Sequence, residues 1–184
     1  MTRIVAGSAG GRRLKVPPKG TRPTSERVRE ALFSSLESLL DLDGANVLDL
    51  YAGSGALGFE ALSRGAAHAT FVEADKRAAD VLKGNAQELG FKNTTIANRT
   101  AEAYVTTEGD AFDVVFADPP YATTDDELAK VLKGIVPRLT KDAVLIVERA
   151  SRSAEPAWPD SVESLRAKRY GDTAVYWGQV RSDG

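Results

Sequence analysis

The chain contains no cysteine, one histidine and one methionine among 184 residues. The absence of thiols excludes disulfides, a thiolate nucleophile, an iron–sulfur cluster and any cysteine-based zinc site. A single imidazole, His68, supports neither a histidine relay nor a His-rich metal site, and it reads as a packing residue just before a strand. No metal is expected. No apolar run approaches the roughly 20 residues that span a bilayer. The start, Met1-Thr2-Arg3-Ile4-Val5, lacks a signal-peptide core, so a cytoplasmic location is expected. Internal repeats and low-complexity tracts are missing as well. Chemistry is left to carboxylates, amides, backbone groups or a borrowed cofactor.

What is present is the composition of a globular domain: 42% hydrophobic, 27% charged, and a formal net charge of −2. A chain of this length buries roughly two-thirds of its unfolded surface. The small net charge hides an asymmetry. Residues 1–30 carry Arg3, Arg12, Arg13, Lys15, Lys19, Arg22, Arg27 and Arg29 against Glu26 and Glu30, a net +6. The remainder carries a net −8. A basic arm on an acidic body suits a polyanionic partner met mainly through the N-terminus. Residues 1–44 read as a basic extension and residues 45–184 as the main domain. Nothing marks an oligomer interface, and a monomer is expected.

Residues 2–6 and 11–16 look like short strands around a glycine-rich turn. Thr24 or Ser25 caps a helix whose apolar face is Val28, Ala31, Leu32, Leu36 and Leu39. From Asn46 the pattern alternates. Strands are predicted at 47–51, 69–73, 94–97, 112–117 and 143–147, with helices to about 64, over 76–89, briefly after 97, and over 125–138. Continuous apolar strands between amphipathic helices mean a parallel sheet covered on both faces, an α/β fold. The tail differs: 164–170 and 173–180 form a hairpin at Gly171-Asp172. Trp158 and Trp177 read as packing residues.

The turn Asp49-Leu50-Tyr51-Ala52-Gly53-Ser54-Gly55-Ala56-Leu57-Gly58 lies between a strand and a helix. Its glycines let the backbone turn sharply and approach a ligand, at the strand ends where doubly wound sheets bind nucleotides. Glu73, ending the next strand, can accept both hydroxyls of a ribose. Gly53-x-Gly55-x-x-Gly58 also satisfies the dinucleotide fingerprint, which keeps NAD as a rival. Asp49 favours S-adenosylmethionine: its carboxylate suits a cationic ammonium and would repel a pyrophosphate.

Asp118-Pro119-Pro120-Tyr121 follows the fourth strand of the alternating unit. An exocyclic amine on a purine is a poor nucleophile because its lone pair is delocalised into the ring. Acceptors aimed at its two hydrogens favour tetrahedral geometry and stabilise the positive charge that develops on methylation. Asp118 supplies one acceptor, and the Pro119 carbonyl, held in direction by successive prolines, supplies another. Tyr121 offers a stacking face worth roughly 1–3 kcal/mol. Neither a metal nor a covalent intermediate is required.

These motifs together resemble class I S-adenosylmethionine-dependent amino-methyltransferases of the Asp-Pro-Pro-Tyr type. Gly10-Gly11-Arg12-Arg13-Leu14, Thr21-Arg22-Pro23-Thr24, Arg27-Val28-Arg29-Glu30-Ala31-Leu32-Phe33 and Tyr170-Gly171-Asp172-Thr173 narrow the resemblance to the bacterial RsmD family, over nearly the whole chain. The resemblance implies a Rossmann-like seven-stranded sheet ending in an antiparallel hairpin. It implies methyl transfer from S-adenosylmethionine to the N2 amine of a guanine in small-subunit (16S) ribosomal RNA, free or within a subunit particle. Adenine-N6 methylation of RNA or DNA stays open, because the tetrad serves both amines; an NAD-dependent oxidoreductase is a distant alternative. The catalytic set is Asp118, Pro119, Pro120 and Tyr121. The cofactor set is Asp49, Ala52, Gly53, Ser54, Gly55, Glu73, Ala74, Thr100, Ala101 and Asp118. Thr100 stands where related enzymes place an Asp or Asn toward the adenine. The expected RNA contacts are Arg12, Arg13, Arg22, Thr24 and Arg27.

Overall fold

Strands β3 (Asn46–Leu50), β4 (His68–Val72) and β6 (Phe112–Ala117) are almost entirely buried, as their continuous apolar runs require of strands covered on both faces. They sit in a seven-stranded sheet of order β5-β4-β3-β6-β7-β9-β8, with β5 (Thr94–Ala97), β7 (Leu139–Ala150), β8 (Val162–Tyr170) and β9 (Thr173–Val180). The first five strands in this order run parallel, while β9 is antiparallel to both β7 and β8. This is the fold of the sequence reading, terminal hairpin included. The computed structural model describes residues 2–17 and 25–182.

One face of the sheet is covered by α1 (Glu26–Leu39), α2 (Ala56–Ser63) and α3 (Lys76–Leu89), the other by α4 (Ala101–Tyr104) and α5 (Asp125–Ile135). Phe33 of α1 meets Phe116 with ring centroids 5.5 Å apart. Ser25 caps α1 by accepting from the Val28 N–H, and Asp75 does the same for α3 from Ala78. Thr124 and Glu127 form a reciprocal capping box at α5. No helix among the described residues is long and apolar enough to cross a membrane.

Several boundaries differ from expectation. The strand-like stretches near the N-terminus shrink to a two-residue antiparallel pair, β1 (Thr2–Arg3) and β2 (Arg13–Leu14). Ile4 still pairs with Arg12 and Gly11, but the backbone N–H groups of residues 5, 6, 8 and 9 find their partners on α2 instead of in a ladder. Val5 and Ala6 N–H donate to the Glu60 carboxylate at 2.8 and 3.1 Å, and Ala9 N–H donates to Ser63 Oγ at 2.8 Å. Glu60 is fully buried and also paired with Arg64. Helix α5 stops at Ile135 because Pro137 cannot continue it, and 136–138 form a 3₁₀ turn. Tyr51 is not strand: it turns out of β3 with φ of +58°.

Candidate active site

Strand order reverses between β3 and β6, since the chain builds outward to β5 on one side and to β7 on the other. The carboxyl ends of these strands border a cavity of about 730 Å³, within the usual size of small-ligand sites. Glu73, Ala74, Thr100 and Ala101 line one part of it, and Asp118, Pro119, Pro120 and Tyr121 another. Asp49, in β3, and Ala52, Gly53, Ser54 and Gly55, in the turn beside Glu73, do not line this cavity.

That turn is built by three local devices. Tyr51 takes a left-handed conformation, which costs a non-glycine residue on the order of 1–3 kcal/mol. Gly55 has φ of +83°, and a Cβ there would lie 2.6 Å from Leu82 and from Phe59, so only glycine fits. Ala52 N–H then reaches Val72 O across to β4, and Gly55 N–H closes on Ala52 O.

Glu73 braces the turn. One carboxylate oxygen accepts from Gly53 N–H at 2.8 Å, and the other from Asp75 N–H at 2.9 Å. A carboxylate has about four lone-pair sites, so two remain for the hydroxyls expected there. Asn98 donates to the carbonyls of Glu73 and Ala74, which holds the start of this loop. Thr100 uses its hydroxyl as the cap of α4, accepting from Ala103 N–H, and it borders the cavity with Ala101.

Asp49 is buried, with 2% of its surface exposed, and accepts from Gly58 N–H at 3.0 Å. Burial pushes its carboxyl up to about 8; the Gly58 hydrogen bond acts against this, and the Glu73 charge adds to it. A cation bound beside it would offset the burial and restore its charge, whereas an anion would push the carboxyl further up, so the turn suits a cationic group better than an anionic one. Asp118 is likewise held well above the ordinary carboxylate range. Burial is the main cause, followed by the charge of Glu148 and a hydrogen bond with it, then by Asp49, with Arg149 opposing. The site therefore gathers carboxyl groups from adjacent strand ends, and it suits a positive charge that is bound or develops there.

The Asp118–Thr124 loop is held from below. Thr123 N–H donates to Pro120 O, and Arg149 of β7 donates to Thr123 O and to Asp125 at 3.0 Å. Tyr121 is 76% exposed, and the Arg152 guanidinium lies 5.2 Å from its ring centroid. One face of the ring is thus taken by a cation.

Sequence reasoning missed Glu148, Arg149 and Asn85. The first two lie in β7 just past the apolar stretch 143–147, and nothing in that pattern marks the strand end as a wall of the cavity. Asn85, 3% exposed on α3, accepts from Lys15 N–H and donates to Lys15 O and Ser54 O. It ties the N-terminal segment to the glycine turn, a link between residues 70 and 31 positions apart that only the fold reveals. Three of the expected RNA contacts fall among the described residues. Arg12 is exposed but donates to Glu88 O at the end of α3, Arg13 and Arg27 are exposed, and Arg22 and Thr24 lie outside the described residues. Arg29 is fully buried, donating to Thr2 Oγ1 and Arg3 O, so it is a packing residue.

The profile of the family described as conserved hypothetical protein 95 matches residues 2–179. The chain is 37% identical over 183 residues to ribosomal RNA small subunit methyltransferase D of Escherichia coli strain K12, covering 99% of this chain and 91% of that one. It is 43% identical over 124 residues to the protein of the same name from Haemophilus influenzae, covering 65% of this chain and 63% of that one. Among solved structures, that of the Escherichia coli protein yhhF superposes with a TM-score of 0.87 at 33% identity, covering 99% of both chains.

Proposed function

The chain belongs to the conserved hypothetical protein 95 family, which is the RsmD family, and from that membership we propose that it methylates small-subunit ribosomal RNA with S-adenosylmethionine as donor. The target in this reading is the N2 amine of a guanine. The observation that carries it is the meeting of Glu73 and Asp118 on one cavity, with buried Asp49 close behind. The donor, when bound, supplies a methyl group on a sulfonium. Glu73 holds the ribose hydroxyls with the lone pairs left free by Gly53 and Asp75. Asp49, buried behind the turn, would offset the positive charge of the ammonium on the donor's methionine part. Asp118 and the Pro119 carbonyl accept the two hydrogens of the target amine and stabilise the charge that develops on it, as fixed acceptors do for developing cations. Tyr121 stacks against the base on the ring face not covered by Arg152. The target must leave its own stack to reach this depth.

In the same reading the basic extension, residues 1–44, meets RNA phosphates, which position the substrate without choosing the base. Adenine N6 offers the same two hydrogens, so nucleoside identity is the deciding observable. Labelled S-adenosylmethionine is incubated with small-subunit particles lacking the modification, and the rRNA is digested. Label in N2-methylguanosine supports the proposal, label in N6-methyladenosine supports the second reading, and unlabelled rRNA contradicts both.

A further inference from the structure

Strands β6 and β7 run parallel, with Ala117 opposite Val147. The next residue on each, Asp118 and Glu148, therefore emerge side by side, and both line the cavity. The Glu148 charge and a hydrogen bond with it, after burial, hold the Asp118 carboxyl above the ordinary range. Two carboxyl groups can bond this way only with a proton between them, because neighbouring like charges away from water do not both ionise. Other groups modulate the pair without replacing either member. Asp49 on β3 adds negative charge, and Arg149 opposes it while committed to Asp125 and Thr123. Tyr51, Glu73, Glu102 and Asp172 also border the cavity, as do Arg99 and Arg152.

We propose that Glu148 is a positioning residue for methyl transfer, acting through Asp118 as the partner that takes up its proton when Asp118 accepts the N–H of the target amine. The inference rests on the methyltransferase reading above. At rest the pair holds one proton and one negative charge. When the amine donates to Asp118, that proton passes to Glu148 and leaves Asp118 as the full carboxylate acceptor. As the amine nitrogen forms its bond to the methyl carbon, the carbon–sulfur bond breaks and its electron pair stays on sulfur. The nitrogen, now cationic, gives one proton to Asp118. The pair then holds two protons and releases one to water, which restores the resting state. No base beyond this pair is needed.

The substitution Glu148→Gln keeps shape and hydrogen bonding but cannot take up the proton. Two readouts are measured on the folded variant, with Glu148→Asp beside it as the variant that keeps the carboxyl. In the first, infrared titration of the ligand-free protein follows the protonated-carboxyl band that Asp118→Asn removes. This band is expected to persist above the usual carboxylate range in the wild type, to titrate at lower pH in Glu148→Gln, and to return toward wild type in Glu148→Asp. In the second, single-turnover transfer to small-subunit particles is followed against pH. For Glu148→Gln the rate is expected to fall by about 10²-fold at pH values where its Asp118 band is still protonated, the lower end for a lost proton-transfer group, and to recover as that band titrates. Its rising limb is therefore expected at higher pH than that of the wild type, which is active with one proton in the pair, with S-adenosylmethionine affinity unchanged. An unmoved band, or a limb equal to wild type, overturns the proposal. A wild-type protein that transfers no methyl group overturns the methyltransferase reading instead, while the infrared arm still decides whether the pair shares a proton.

Discussion

On the β4 side of the switch point, Glu73 has both carboxylate oxygens engaged by backbone N–H groups, from Gly53 and Asp75. On the β6 side, Asp118 meets another carboxyl, Glu148, and its proton is held by burial and by that neighbour's charge. The first arrangement fixes the position of a carboxyl group before any ligand arrives. The second keeps a group whose protonation is poised to change. In the proposed function binding and transfer fall on different sides of one cavity, and substitutions on the two sides should have different kinetic signatures.

The largest effect is expected from Asp118→Ala. Losing the acceptor should lower the methyl-transfer rate by about 10²–10³-fold, by analogy with deletion of one fixed group from an oxyanion hole. Its affinity for S-adenosylmethionine should stay within about threefold of wild type. A variant that loses affinity and keeps its rate at saturation would reverse the assignment of the two sides.

Glu73→Ala should do the opposite. Charge-assisted hydrogen bonds of about 1.5–3 kcal/mol are removed, so affinity measured by calorimetric titration should fall roughly 10- to 150-fold. Because Glu73 also braces Gly53, part of that loss comes from a loosened turn. The double substitution with Asn85→Ala separates the two contributions. Asn85→Ala alone leaves the Lys15 and Ser54 backbone groups without their buried partner, and denaturant unfolding should show a loss of about 1–3 kcal/mol. Its effect on cofactor affinity should be smaller than that of Glu73→Ala.

Asp49 gives a signature in pH. The folded chain holds its proton up to about 8, while an ordinary carboxyl releases it near 3.8. Between these values the unfolded state binds fewer protons than the folded one, so the ligand-free protein should lose stability as pH rises through the window. In Asp49→Asn that part of the slope should vanish, which thermal unfolding at a series of pH values would detect. A slope unchanged by the substitution would remove Asp49 as its source.

The smallest expected effect concerns the extension. If about four of its cations meet phosphates, log K should fall with log salt at a slope near −3. Neutralising Arg13 and Arg27, both exposed, should flatten the slope by about 1.4, at ~0.7 per contact, with cofactor affinity unchanged. Arg12 should contribute less, because its guanidinium already donates to Glu88 O. A folded double variant with the wild-type slope would put the RNA surface elsewhere.

The sheet, its terminal hairpin and the two motif-bearing strand ends were legible because each rests on local pattern. Apolar runs mark β3 and β6, glycines mark the turn, and Asp-Pro-Pro-Tyr follows its strand without a gap. What was not legible depends on contacts between distant segments. Glu148 gains its meaning from the parallel register of β6 with β7, and Asn85 from a helix face that meets both Lys15 and Ser54. Glu60 belongs to no motif, and its role comes from the N-terminal backbone that donates to it. Arg29 looked like one more cation of the arm, yet its position on the inner face of α1 buries it.

The most direct test of the central claim uses wild type and Asp118→Ala side by side. Each is titrated with S-adenosylmethionine by calorimetry and then incubated with unmodified small-subunit particles, whose digested nucleosides are identified by mass spectrometry. The account predicts that both proteins bind the donor and that only the wild type produces N2-methylguanosine. N6-methyladenosine from the wild type, or undiminished N2-methylguanosine from Asp118→Ala, would contradict it.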